Sequence, residues 1–247
     1  MKYEFGGRVR YSEIDENGRL LINGLVNYFQ DVAMAQAEHL GIGSDYLKQR
    51  SAAWVLMSWQ IVIDHLPKLY REVTAQTWPY EFKQFYGMRN FTLLDEEGKM
   101  AAWANSVWVL YDLDGGRPLR VFPELLEKYG LDQKLEMDYA PRKIVLPEGG
   151  QVQESFLIGK HHLDTNHHVN NGQYIIMAAE HLPADFEVHQ MRVEYRMQAK
   201  LGDMVTPVVV EEGSRVTVGL CDVQQKPYAI VEFETHQAFQ IRNCLGP

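Results

Sequence analysis

The sequence predicts an α+β fold built from two repeats, each with one helix followed by four antiparallel strands. Two observations support the repeat. Helical and strand-like patterns follow one another in the same order in both halves of the chain. In addition, Ala-Glu-His-Leu occurs at 37–40 and at 179–182, and Asn-Gly occurs at 23–24 and at 171–172. A two-fold internal repeat of roughly 120 residues explains both observations.

In the first half, a helix is predicted from Ile22 to Leu40, because apolar residues recur there mostly at steps of three and four. Gly41 supplies a stop signal, and Gln36 is the one polar interruption of the apolar stripe. Asp-Glu-Glu-Gly-Lys at 95–99 predicts a hairpin turn between the third and fourth strands. The four strands are predicted at 54–64, 72–82, 89–95 and 100–112.

In the second half, a helix is predicted from Asn171 to Leu182, with Asn170 or Asn171 as its N-cap. Glu-Glu-Gly-Ser at 211–214 predicts the matching hairpin turn. The strands are predicted at about 187–199, 204–211, 215–221 and 228–241. We therefore expect an N-terminal repeat over 1–115, a connector with Gly-Gly and Pro over 116–152, and a C-terminal repeat over 153–247.

Charge and composition exclude several classes of protein. The formal net charge is −9, which argues against a nucleic-acid-binding protein. No run of roughly 18 apolar residues is present, so no membrane span is expected. The first residues lack the basic-then-apolar pattern of a signal peptide, and we expect a cytoplasmic protein. Cys221 and Cys244 show no metal-ligand spacing and fit a reduced compartment.

The stretch HHLDTNHHVNNGQY at 161–174 contains four histidines within eight positions. Imidazoles are good zinc ligands, but these occur as the adjacent pairs 161–162 and 167–168, whose side chains tend to diverge. No His-x-x-x-His spacing on a helix and no nearby cysteine completes a metal set. Acid–base chemistry is the favoured alternative, and we expect no metal and no other cofactor.

The same stretch resembles the second-half signature of acyl-acyl carrier protein (acyl-ACP) thioesterases, Asp-x-Asn-x-His-Val-Asn-Asn followed by Tyr-Ile. The resemblance extends to VEYRMQA at 193–199 and, in the first half, to 10–15, 54–67 and 104–112. It implies a tandem hotdog fold, in which each half wraps a sheet around a helix. It also implies hydrolysis of a fatty acyl thioester on acyl carrier protein, with no cofactor. Plant members carry an organelle-targeting extension, so this chain is more similar to the bacterial branch.

For thioester hydrolysis, water must be deprotonated and an oxyanion must be stabilised. Asp164 is expected to accept a proton or to hold the geometry of the site, and Asn166 to position water or substrate. His168 lies four residues after Asp164, and an imidazole side chain suits acid–base chemistry near neutral pH. Backbone N–H groups near Asn170–Gly172 are expected to face the thioester carbonyl. The competing interpretation is that Asp-Thr-Asn before a helix is ordinary turn and capping chemistry.

The chain departs from the plant family in the downstream strand, where Glu-Cys is replaced by Gln198-Ala199. A cysteine nucleophile is therefore absent at this position. Gln198 can hydrogen-bond water or His168 but cannot act as a base. Glu194 lies on the same face of the predicted strand at roughly 13 Å from Gln198, too far to compensate.

The first half keeps Asp15 and Asn17 but has Arg19 where an imidazole would stand, so it is expected to have lost chemistry and kept architecture. The resemblance implies that this half shapes the acyl pocket. Trp54, Met57 and Trp59 are the candidates for its lining. Their alternative role is simple packing in the core.

Three other functions are alternatives to acyl-ACP hydrolysis. An acyl-CoA thioesterase would use the same chemistry on another carrier, and the sequence does not distinguish the two. A hydratase acting on enoyl thioesters is the second, and hotdog enzymes of this kind have a motif similar to Asp-x-Asn-Pro-x-His. Here His167 replaces the proline, and His168 follows Asp164 by four residues and not by five, which disfavours a hydratase. A non-catalytic acyl-binding protein is the third. It stays open because Gln198 replaces an acidic residue of the family and cannot act as a base. The oligomeric state stays open, with a homodimer as one option.

Overall fold

The computed structural model describes residues 2–164 and 167–236. These residues form two compact units that meet in sequence between Arg142 and Lys143. We call them unit 1 and unit 2. The division falls inside the predicted connector. No helix in the described part of the chain is both long enough and apolar enough to cross a membrane.

Unit 1 is an antiparallel sheet in the strand order β1-β3-β4-β5-β2, with one long helix against it. Its strands are β1 (Tyr3–Arg8), β2 (Ala52–Ile63), β3 (Glu72–Lys83), β4 (Tyr86–Leu94), β5 (Met100–Asp112) and the short β6 (Arg117–Pro118), which pairs with β5. Its helices are α1 (Ile22–His39), α2 (Ser44–Lys48) and α3 (Pro123–Tyr129).

The apolar stripe of α1 forms the core of unit 1. Leu25, Val26, Phe29 and Val32 are fully buried, and the ring of Phe29 lies 5.3 Å from that of Phe91 on β4. Burial of each such side chain contributes about 1.5–3 kcal/mol. The periodicity of the sequence therefore has its expected cause, a helix packed lengthwise on a sheet.

Strand β2 carries a bulge at Met57. Leu56 pairs with Trp108 of β5 and Ser58 pairs with Val107, so Met57 has no partner of its own. The extra residue bends a strand and increases its twist. Because of the bulge, Trp54 and Trp59 lie on the same face of the sheet although they are five residues apart.

Unit 2 repeats this arrangement with shorter elements. Helix α4 (Asn171–Ala179) buries Tyr174, Ile175 and Ala178. The sheet has the order β9-β12-β11-β10-β7, and β8 also pairs with β10. Its strands are β7 (Gln151–Val152), β8 (Phe156–Leu157), β9 (Gln190–Tyr195), β10 (Met204–Glu212), β11 (Arg215–Cys221) and β12 (Pro227–Glu234).

The predicted α+β class, both predicted helices and both hairpin turns are confirmed, although α4 ends at Ala179 and not at the predicted Leu182. Strand β1 was not predicted. The strand predicted at 187–199 is too long, because the chain leaves the sheet after Tyr195. Cys221 is a free, buried thiol. Cys244 and the part of the last predicted strand beyond 236 lie outside the described residues.

Candidate active site

A closed turn lies at the centre of the candidate site in unit 2. The N–H of Asp164 donates to the carbonyl of His168 over 2.8 Å, and the N–H of His167 donates to the carbonyl of Asp164 over 3.1 Å. Leu163 and Val169 form a β-bridge on either side. The predicted site residue Asn166 lies outside the described residues.

The carboxylate of Asp164 takes part in this turn. Its Oδ1 accepts the backbone N–H of His168 over 3.3 Å. Both residues are half-buried. The structure thus brings the two predicted residues together and links them through the main chain of His168. This contact would allow Asp164 to hold the geometry of the site, and both of its predicted roles stay predictions.

The same turn occurs three more times within residues 2–164 and 167–236, each time opened by an aspartate. Asp15, Asp95 and Asp222 each accept, through Oδ1, the N–H of the residue four positions later, over 2.8–2.9 Å. In each turn the aspartate N–H also donates to the carbonyl of that later residue. The turn interpretation of Asp164 is therefore supported by the structure. It does not compete with an orienting role, since a turn can place His168.

The fourth position of each turn has a positive φ. It is Gly18 (71°) and Gly98 (77°) in two turns, but Gln225 (61°) and His167 (61°) in the others. A side chain at this conformation costs about 1–2 kcal/mol relative to glycine. Strain of this kind is often retained at functional sites. His167 is exposed, so burial of its imidazole does not explain why the strained conformation is retained.

Helix α4 begins directly after this turn, capped by Asn170. The Asn170 Oδ1 accepts the N–H of Gly172 over 2.8 Å, and the Asn170 N–H donates to the carbonyl of His162 over 2.9 Å. Two of the three N–H groups predicted to face a substrate are therefore occupied, and the prediction is wrong for them. The N–H of Asn171, between them, has no acceptor among the described residues.

The segment carrying Gln198 is anchored next to the turn. The N–H of Ala199 donates to the Tyr174 hydroxyl over 2.9 Å, and its carbonyl accepts the N–H of Val169 over 3.1 Å. Ala199 is buried, whereas the Gln198 side chain is exposed and has no hydrogen bond to another described residue. The predicted bond from Gln198 to His168 is not formed in this structure.

Two tyrosines beneath the site were not recognised as part of it from the sequence. Tyr195 donates through its hydroxyl to the carbonyl of Asn171 over 3.0 Å, and its ring lies 5.8 Å from that of Tyr174. Burial raises the pKa of Tyr174 to about 12, and the negative charge of Asp164 adds to the effect. Both hydroxyls therefore stay neutral and hold the helix start and the Ala199 segment in place. Their wide separation in sequence explains why the pattern gave no signal.

Glu194 is engaged elsewhere. It is buried, and its Oε2 accepts the backbone N–H of Ile144 over 2.9 Å and both Nη2 and Nε of Arg196 over 2.9 and 3.2 Å. These contacts give Glu194 a structural role in unit 2.

The side chains of the histidine pair that precedes the turn make contacts of their own. His162 accepts the N–H of Gly159 through Nδ1 over 3.0 Å, and its ring lies 3.9 Å from that of His161. Burial, and secondarily the positive charge of His161, lower the pKa of His162 below its usual value. Within residues 2–164 and 167–236, no three His, Cys, Asp or Glu side chains gather as a metal site.

The residues predicted to line an acyl pocket lie in unit 1. Trp59 is buried, and its ring lies 4.9 Å from that of Phe91. Trp54 and Met57 are half-buried, and Trp54 packs 6.2 Å from Phe82. The indole Nε1 of both tryptophans is buried without an acceptor among the described residues. Core packing is established for Trp59, and a role in acyl binding stays a prediction for all three.

Solved structures place the fold in a known class. An acyl-ACP thioesterase from Bacteroides thetaiotaomicron superposes on this chain with a TM-score of 0.86 at 22% identity. The superposition covers 94% of this chain and 97% of that structure. The 12:0-ACP thioesterase from Umbellularia californica superposes with a TM-score of 0.83 at 18% identity, over 94% and 96% of the two chains. The predicted tandem hotdog fold is thereby confirmed.

Sequence comparison then gives the family. The acyl-ACP thioesterase N-terminal domain matches residues 1–129, and the C-terminal domain of the same family matches residues 151–235. The chain therefore belongs to the acyl-ACP thioesterase family, as the motifs predicted.

Two curated plant relatives are similar at the sequence level. The chloroplastic acyl-acyl-carrier-protein hydrolase FATB3 of Cuphea viscosissima is 23% identical over 84% of this chain. The chloroplastic oleoyl-acyl carrier protein thioesterase 2 of Arabidopsis thaliana is 25% identical over 83% of it. The chain spans 54% and 61% of the length of these two relatives.

Proposed function

We propose that the protein hydrolyses fatty acyl-ACP thioesters, releasing a free fatty acid and holo-ACP. Membership of the family supports this proposal for both halves of the chain. The structural observation that supports it best is the junction of the Asp164–His168 turn with the start of α4. There His168 is half-buried, and three residues further along the chain the backbone N–H of Asn171 has no acceptor among the described residues.

In the proposed reaction, His168 accepts a proton from water as the water oxygen attacks the thioester carbonyl carbon. General base catalysis of this kind contributes about 10²–10⁴-fold. The tetrahedral intermediate then expels the carrier thiolate, which takes the proton from the imidazolium. Atoms and charges balance without any further reactant. Asp164 holds the main chain of His168 through the turn, so we assign it a positioning role.

The oxyanion needs donors that do not have to reorganise. The Asn171 N–H lies at the first turn of α4, where the partial positive charge of the helix also favours an anion. We propose that this group is the backbone donor to the oxyanion. Asn166 and Gln198 retain their predicted roles in orienting water or substrate, with Gln198 acting from the solvent side.

The test is a hydrolysis assay on the purified protein with chelator present, using matched acyl-ACP and acyl-CoA series from short to long chains. Faster turnover of acyl-ACP supports the proposal. Faster turnover of acyl-CoA changes the carrier, and bound acyl ligand without turnover makes the protein a non-catalytic acyl binder. His168→Ala should lower kcat at least 100-fold. His161→Ala, which removes an exposed imidazole from the same stretch, is the matched control.

A further inference from the structure

The polar interruption of the α1 stripe has a partner inside unit 1. The Gln36 side-chain oxygen accepts a hydrogen bond from Nη2 of Arg89 on β4. Gln36 is 2% exposed and Arg89 is 9% exposed. The ring of Tyr129, at the end of α3, lies 5.5 Å from the guanidinium. Arg89 therefore lies in the interior of the unit, between the long helix and the sheet.

Gln36 and Tyr129 are both neutral. Among the described residues, no aspartate or glutamate forms an ion pair with Arg89, and the ring of Phe91 lies 5.6 Å from its guanidinium. A guanidinium stays protonated in a protein. A buried charge without an opposite charge is costly, so its presence calls for an explanation.

Two buried N–H donors in this part of unit 1 also have no acceptor among the described residues. They are Nε of Arg89 and Nε1 of Trp59, both shielded from solvent. The strand register places Arg89 and Trp59 on the two sides of Ser106, about 10 Å apart at the backbone. Both side chains approach Phe91. One positive charge and two unpaired donors thus lie around a single aromatic residue.

We propose that the interior of unit 1 binds the carboxylate of an apolar monocarboxylic acid. The guanidinium of Arg89 supplies the charge and a fork of donors, and the indole of Trp59 supplies one more. A carboxylate suits these groups because it is acceptor-only and carries one negative charge. Phe29 and Phe91 offer the acid's apolar body an aromatic wall. A phosphate would bring a second charge that no described residue at this place balances.

The carboxylate could belong to a free fatty acid or to the far end of an acyl chain still held as a thioester. Binding of a free acid is measured without hydrolysis. This proposal therefore fails or succeeds independently of the proposed enzyme activity.

The first experiment is calorimetric titration of the intact protein with decanoate and, as a neutral match, decanol. Saturable binding of decanoate, at least tenfold tighter than decanol, is expected. Arg89→Met should weaken decanoate binding ten- to a hundredfold and leave decanol unchanged. Trp59→Phe keeps the aromatic packing and should weaken decanoate binding several-fold. Arg8→Met, which removes an exposed guanidinium, is the control.

Absence of saturable decanoate binding would overturn the proposal, and so would equal affinity in the wild-type protein and Arg89→Met. If Arg89→Met does not fold, Arg89→Lys is used in its place, because it keeps the charge but lacks Nε. Unchanged affinity for decanoate in both Arg89→Lys and Trp59→Phe would overturn the proposal. Comparison of the hydrolysis rates of ω-carboxydecanoyl and decanoyl thioesters shows whether the bound carboxylate belongs to a free acid or to the far end of an acyl chain. An Arg89-dependent preference for the first places the carboxylate on the substrate, and no preference assigns the site to the free acid.

Discussion

The Asp164–His168 turn allows a carboxylate that positions a histidine to be distinguished from one that acts as a base. Asp164→Asn keeps an Oδ1 that can accept the His168 N–H but removes the charge. Asp164→Ala removes both. If Asp164 acts by holding the turn, Asp164→Asn should keep kcat within tenfold of the wild-type value, whereas Asp164→Ala should lower it at least 100-fold.

The magnitudes follow from the contacts in the turn. Asp164→Ala loses the half-buried hydrogen bond from the His168 N–H, which is worth about 1 kcal/mol. For a chain of this size, that lowers Tm by about 2–4 °C. The fold therefore survives, and the loss of rate comes from misplacement of His168, where about 1 Å can cost 10²-fold.

Asp222 provides a matched control, because it makes the same turn contacts in the hairpin between β11 and β12. Asp222→Asn and Asp222→Ala should repeat the small changes in Tm and leave kcat unchanged. Thermal denaturation and steady-state hydrolysis of one acyl-ACP are measured on all four variants. If Asp164→Asn loses as much activity as Asp164→Ala at equal stability, the charge itself is required and the positioning argument is refuted.

Three further predictions concern neighbouring residues. His167→Gly should raise the unfolding free energy by about 0.5–1 kcal/mol, because glycine accepts the positive φ; Gln225→Gly should do the same, and a loss of stability in either would contradict the turn geometry. Burial holds the pKa of His162 below its usual value of 6.5, so the buried neutral imidazole contributes its full stability above that pH and loses it as the pH falls. The free energy of unfolding, measured with denaturant at pH 7 and at pH 5, should therefore change less with pH in His162→Gln than in the wild-type protein. An equal change in the two proteins would contradict this role of His162. Gln198→Ala should lower kcat less than tenfold, since the side chain is exposed and bonds to no described residue; a 100-fold loss would show that it closes onto the substrate.

Much of the fold was predictable because the decisive signals are local. The apolar steps of α1 predict a helix that the structure has from Ile22 to His39. Strand β1 was missed because its sequence, Tyr-Glu-Phe-Gly-Gly-Arg, ends in residues that weaken a strand signal. Strand β9 was predicted too long because alternation continues to Ala199, whereas Arg196 and Met197 both donate their N–H to the Tyr228 carbonyl and turn the chain aside.

The candidate site was predictable in composition but not in geometry. Asp164 and His168 could be chosen from the motif, but a sequence cannot show that the carboxylate bonds a backbone N–H. The hydrogen bond between Ala199 and Tyr174 joins residues 25 positions apart and leaves no local trace. Gln36 and Arg89, 53 positions apart, show the same limit. Only Gln36 was noticed, as an unexplained break in an apolar stripe.

The bulge in β2 also bears on how this strand can change in evolution. Leu56 and Ser58 already pair with the adjacent residues Trp108 and Val107 of β5. Loss of Met57 would therefore regularise the ladder and keep every other side chain on its present face. Straightening the strand with Met57 retained would instead shift one segment by a single step and turn Trp54 from the inner to the outer face. Strand β2 can thus change its length by one residue at this position, whereas most other single-residue deletions would invert the inside–outside pattern of one end.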